Sequence, residues 1–153
     1  MRSEWFDDTR PMSFEEFYAA AGRLKRSRRP LQCFPIGKSV LGRPISAFVI
    51  GTGPPAVLYV GAHHALEYLT AAVLTQFTAD LCRACAPPAE NAGAAGDGMF
   101  GKAAGALSRR SAVLVPMLNP DGVDLHLRGL SSVREPAARE RLARVSGGDF
   151  SGW

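Results

Sequence analysis

The sequence predicts an α/β fold: a mixed sheet with an N-terminal antiparallel hairpin and a βαβ crossover, with helices on its faces. Three observations lead there. The segment "LQCFPIGKSVLGRPISAFVIGTGPPAVLYVGAHH", Leu31 to His64, holds three apolar stretches separated by turn residues, the pattern of successive strands. From Glu67 the period changes, and Leu69, Val73, Phe77 and Leu81 recur every fourth residue with Leu74 and Cys85 beside them, the spacing of one face of a long helix. A strand-like run then returns at Ser111 to Leu118. Strand, long helix and strand in that order make a crossover within one sheet.

The elements follow in order. Ser13, with Glu16 three residues later, reads as a capping box that opens a helix over 13–29. Its apolar positions, Phe14, Phe17, Tyr18, Ala21 and Leu24, share one face. Leu31 to Ile36 and Pro44 to Ile50 flank a Gly-containing connection and predict the hairpin. After the breaker cluster Gly51 to Pro55, Ala56 to Gly61 is a continuous apolar run, the composition of a central strand covered on both faces. Residues 86–110, "APPAENAGAAGDGMFGKAAGALSRR", lack a sustained period and predict a flexible surface insertion. Asn119-Pro120-Asp121-Gly122 is a strong turn sequence, and Ser132 and Glu135 are placed to cap a short charged helix that runs to about Val145.

Composition narrows the function classes. At 153 residues the chain is long enough for one domain with a real core, residues 1–153. Its apolar runs fall far short of the roughly 18 residues that cross a bilayer, and "MRSEWFDDTRPMSFEEF" lacks the apolar core of a secretory signal, so a cytoplasmic protein is expected, with no membrane partner. Three cysteines, Cys33, Cys82 and Cys85, are too few for a disulfide framework. Cys82 and Cys85 form a C-x-x-C late in a helix, where the dipole does not favour a thiolate, and read as structural thiols. The net charge of +4 is spread without interleaved aromatics, so no nucleic-acid partner is expected. The cluster "RLKRSRRP", Arg23 to Pro30, falls at a helix C-terminus, where cations complement the dipole. Gly37-Lys38-Ser39 lacks both the earlier glycine and the following helix of a phosphate-binding loop.

The chemistry concentrates in "VGAHHALEYLTA", Val60 to Ala71. Zinc takes imidazole nitrogen and carboxylate oxygen, and a catalytic zinc keeps three protein ligands and one open position. A histidine and a glutamate three or four residues apart at a helix start can converge on one ion. His64 and Glu67 have the first spacing and His63 and Glu67 the second, so spacing does not choose between the histidines. Both this segment and "LNPDG" follow strands, at the carboxyl ends where ligands collect in α/β sheets.

In order and approximate spacing, "IGKSVLGRPI", "YVGAHHALEYLT", "LVPMLNPDGVD" and "GGDFSGW" resemble the zinc carboxypeptidase family, over roughly Phe34 to Trp153. Among its members the chain is most similar to bacterial γ-D-glutamyl-diamino acid endopeptidases, which act on cell-wall peptides. The resemblance implies a zinc-dependent peptide hydrolase with peptide substrates, peptidoglycan-derived peptides among them. It maps the first two zinc ligands onto His64 and Glu67, leaves His63 as a neighbour, and makes Asn119 to Gly122 scaffold beside the site. Carboxypeptidase A, a family member, holds its zinc with two His and one Glu. Some members carry an arginine before the glutamate to bind substrate; here that position is Leu66.

The family's carboxylate-gripping arginine, third zinc ligand and general-base glutamate lie beyond the matched motifs. His126 corresponds to no family ligand. The expectation is therefore an incomplete carboxypeptidase-like domain, truncated and inactive alone, with uncovered sheet through which it associates. Two alternatives remain: a non-catalytic interaction or regulatory module, and a half-enzyme completed by a second chain.

Overall fold

The computed structural model describes residues 3–27, 31–86 and 98–152. It begins with α1, Phe14–Ser27, whose capping box forms as the sequence predicts: the Ser13 amide and hydroxyl both donate to Glu16 Oε2, at 2.9 and 2.8 Å. Phe17, Ala21 and Leu24 are buried, but Ala20 takes the place expected for Tyr18, which is half exposed. Burial of a side chain such as Leu24 contributes roughly 1.5–3 kcal/mol. Lys25 and Arg26 are exposed in the last turn. Residues 28–29 of the expected helix lie outside the described residues.

Strands β1, Leu31–Lys38, and β2, Pro44–Gly51, form the antiparallel hairpin. Strands β3, Pro55–Val60, and β4, Ser111–Val115, are parallel neighbours joined through α2, Leu69–Ala84, and α3, Met99–Leu107. The mixed sheet has the order β1-β2-β4-β3, with β2 and β4 antiparallel. The expected crossover is therefore present.

One expectation is corrected. The strand read as central, β3, lies at an edge of the sheet, and all its residues are exposed; β2 and β4 occupy the middle and are buried or half-buried. Its apolar run reports what the strand could bury, whereas its position is set by pairing with β4. Phe48, Ile50, Ala112 and Leu114 face the helices in one core with Phe17, Leu81 and Cys82. On the opposite face Leu58, next to Val113 in the register, is 61% exposed.

The helices bring further differences. Helix α2 turns Ala71, Thr75, Thr78 and Cys82 inward, while Leu69 and Val73 of the expected stripe are exposed, so small residues make the close approach to the sheet. Residues 87–97 of the expected insertion lie outside the described residues, but its second part contains α3, which Ala and Lys favour despite Gly105. The turn expected at Asn119 to Gly122 is the start of α4, Pro120–Arg128: Asn119 is the N-cap, its side chain accepts from the Gly122 amide at 2.9 Å, and proline occupies the first turn. Helix α5, Pro136–Ser146, is capped by Glu135, which accepts from Ala137 and Ala138. Ser132 does not cap it; its hydroxyl donates to Gly129 O in a preceding 3-10 turn. Among the described residues no helix is long and apolar enough to cross a membrane.

A buried ionic group joins the elements behind α4. Arg43 lies 2.8 Å from Asp121 Oδ1 and 3.0 Å from Asp124 Oδ2, and donates to Ser132 O at 2.9 Å. Asp124, fully buried, also accepts from the Phe14 amide at 2.9 Å and from Arg128 at 2.6 Å. Buried charges are tolerated when their hydrogen bonds are complete, and removing one partner costs about 3–5 kcal/mol. Asp124→Ala is accordingly expected to lower unfolding free energy by about that amount in urea denaturation; a loss below about 1 kcal/mol would show that the pairs are not linked to folding.

Candidate metal centre

Strands β3 and β4 run parallel, so their carboxyl ends reach the same edge of the sheet. The chain leaves β3 through Gly61 and Ala62. Gly61 donates to Val115 O at 2.9 Å, Leu118 donates to Gly61 O at 3.0 Å and Asn119 donates to Ala62 O at 3.0 Å. A Cβ on Gly61 would lie 2.6 Å from the Pro116 carbonyl oxygen, which explains the glycine. Ala62 has a φ of 46°, a left-handed conformation that costs an alanine roughly 1–2 kcal/mol. That strain turns the chain away from the strand direction and into the two histidines.

His63 and His64 are exposed, with ring centroids 5.1 Å apart and nearly perpendicular. The 3-10 turn Ala65–Glu67 follows, closed by the Glu67 amide donating to His64 O at 3.1 Å, and Ala65 is its buried anchor. Glu67 is exposed. The helix pattern read from Glu67 thus begins as this tighter turn, and α2 proper starts at Leu69. Thr70 completes the loop: its hydroxyl donates to Glu67 O at 2.6 Å and accepts from the Ala62 amide at 2.7 Å.

Helix α4 packs against the 3-10 turn. His126 stacks on Tyr68, centroids 5.7 Å apart at 24°, and its Nδ1 lies 3.4 Å from Phe150 O. Tyr68 directly follows Glu67, so His126 braces the motif from behind. Asp121 accepts from Ser39 Oγ and the Leu41 amide, each at 2.8 Å, which occupies the Gly37-Lys38-Ser39 segment in the scaffold. No disulfide links the three thiols; burial pushes the Cys33 and Cys85 pKa values up, with Lys25 partly opposing it at Cys33, and Cys82 is buried. A raised pKa is the opposite of what a redox C-x-x-C requires.

Among the described residues no group of three or more His, Cys, Asp and Glu is gathered as a metal site. His64 and Glu67 have the donor chemistry of zinc ligands and fit as two members of such a set. The sequence reading singles out neither Ala62 nor Thr70 beside the motif; the threonine three positions after the glutamate is the signal that could have found the second.

A model of the zinc carboxypeptidase family matches residues 21–150. The chain belongs to the zinc carboxypeptidase family. It is 33% identical over 130 residues to γ-D-glutamyl-L-diamino acid endopeptidase 1 of Lysinibacillus sphaericus, covering 80% of this chain and 29% of that protein. It is 34% identical over 144 residues to the uncharacterized protein YqgT of Bacillus subtilis, covering 86% and 35%. Thus it spans about a third of these curated relatives. The fold is similar to that of a putative carboxypeptidase from Burkholderia mallei, with a TM-score of 0.56 at 22% identity over 74% of this chain and 27% of that one. A metallo-carboxypeptidase from Burkholderia cenocepacia gives 0.52 at 26% over 74% and 28%.

Because the Gly61 backbone touches that of residue 116, Gly61→Ala is expected to destabilise the protein by about 1–3 kcal/mol, read as a lower thermal midpoint. An unchanged midpoint would mean that the two strand ends are not held at this distance.

Proposed function

We propose that the chain supplies two zinc ligands, His64 and Glu67, to a zinc-dependent peptide hydrolase. The observation that carries the reading is the join at residues 61–62 and 115–119, which sets an imidazole and a carboxylate on adjacent backbone turns at the carboxyl end of a parallel strand pair. Membership of the zinc carboxypeptidase family supports the metal and the reaction class. Zinc held there would supply Lewis-acid polarisation of a peptide carbonyl and a more acidic water. What this chain contributes is the holding of the ion and the orientation of two ligands by backbone hydrogen bonds.

Similarity to the Lysinibacillus enzyme supports peptides with a γ-D-glutamyl-L-diamino acid unit as the substrate class, cell-wall peptides among them. His126, the remaining histidine, stacks on Tyr68, and we infer that the third ligand, the carboxylate-binding arginine and the base glutamate of the family come from outside these residues. Two ligands form a weak site, and turnover needs a positioned base. The 153 residues are therefore proposed to be inactive alone and to act with further polypeptide or a second chain.

A second reading, a non-catalytic interaction module, draws on the exposed apolar residues of β3, Val57 to Val60, which offer an open sheet edge for association. One experiment separates the readings. In a zinc titration, His64→Ala is expected to lose binding and His63→Ala to keep it, with no peptide hydrolysis by the isolated monomer under zinc saturation. Equal losses would overturn the choice of His64, robust turnover would overturn the incompleteness of the site, and absence of zinc binding would favour the interaction module.

A further inference from the structure

The loop from Ala62 to Thr70 is closed by one hydroxyl. Thr70 Oγ1 accepts from the Ala62 amide at 2.7 Å and donates to the Glu67 carbonyl at 2.6 Å. The first bond holds the backbone immediately before His63 and His64. The second holds the backbone of Glu67 itself. Each uses one side of the hydroxyl's chemistry, a lone pair and a proton.

Neither end of this loop is relaxed without help. Ala62 is left-handed, with its side chain 1% exposed and its carbonyl bonded to Asn119. Freed from these bonds, an alanine favours extended or right-handed geometry, which would redirect the histidines that follow. At the other end, neither His64, which precedes the 3-10 turn, nor Tyr68, which precedes α2, makes a side-chain cap. The Thr70 hydroxyl ties the first turn of α2 back to the end of β3 in their place.

We propose that Thr70 is a positioning residue for the metal centre, an inference that rests on His64 and Glu67 being the ligands. By holding both backbones, its hydroxyl sets their spacing before metal arrives. Two exposed side chains on a pre-set backbone lose less freedom on binding than two on a mobile one. Thr70 bonds the backbone of Ala62 and Glu67, not a ligating side chain, so it acts on metal affinity by fixing the separation of the ligands, as partners of the ligating groups do by fixing their orientation. Serine preserves the donor and acceptor, whereas the isosteric valine has neither.

The test titrates zinc alone into the wild-type protein and into Thr70→Val, Thr70→Ser, Thr75→Val and His64→Ala. Affinity is read by competition with a chromogenic chelator, and Ala62 amide exchange is followed without metal. Thr75 is the control because its hydroxyl donates to Ala71 O in the same helix, away from the motif. Thr70→Val is expected to weaken zinc by about 10- to 100-fold and to speed Ala62 exchange, while Thr70→Ser and Thr75→Val stay close to wild type. Wild-type affinity in Thr70→Val, with zinc lost in His64→Ala, overturns the positioning role and leaves the ligands standing. Equal weakening in Thr70→Val and Thr75→Val reduces the effect to general destabilisation and also overturns it. Zinc binding that is absent, or unaffected by His64→Ala, overturns the ligand reading and the positioning role together.

Discussion

The hydrogen bonds from Gly61 to Val115, Leu118 to Gly61 and Asn119 to Ala62 continue the β3–β4 pairing beyond the sheet, and the rest of the candidate site depends on them. They bring two backbones so close that only glycine fits at position 61. They also hold Ala62 in a conformation that an alanine avoids on its own. Local strain at this point is balanced by the bonds around it, which is the usual way a turn at a functional site persists. Loosening this join would let the His63-His64 segment and the start of α4 separate.

A second constraint holds the same assembly from behind. Asp121 and Asp124 project from α4 into the group formed by Ser39, Arg43, Phe14 and Arg128. The start of α1, the β1–β2 turn and α4 are thereby joined through charge-assisted bonds, which are shorter and stronger than neutral ones. Helix α4 in turn supports the 3-10 turn of Glu67 and presents His126 to Tyr68. The asparagine-proline-aspartate-glycine sequence therefore does scaffold work at both of its ends: Asn119 caps the helix and touches Ala62, and Asp121 receives the hairpin turn.

Local patterns were legible and long-range ones were not. The capping box of Ser13 and Glu16, the hairpin and the crossover helix each rest on spacing within a few turns of chain. The place of β3 in the sheet is a property of pairing with a distant strand, and its apolar run is equally compatible with an edge. Asn119 to Gly122 suits a turn or a helix start, and the bond from Gly122 to the Asn119 side chain selects the second. Nothing near Arg43 in the sequence indicates Asp124 as its partner. The motif containing His64 and Glu67 is visible from residue types, whereas spacing alone leaves His63 and His64 equivalent, and only the family resemblance implies His64.

The proposed role of the 61–70 loop is to present His64 and Glu67 together to one metal ion. Its most direct measurement is a zinc titration followed by nitrogen-proton correlation spectroscopy that includes the imidazole nitrogens. The largest change is expected on a His64 ring nitrogen, with backbone shifts confined to residues 62–70 and the first turn of α4. Shifts centred on His63 or His126, or scattered over surface carboxylates, would contradict it.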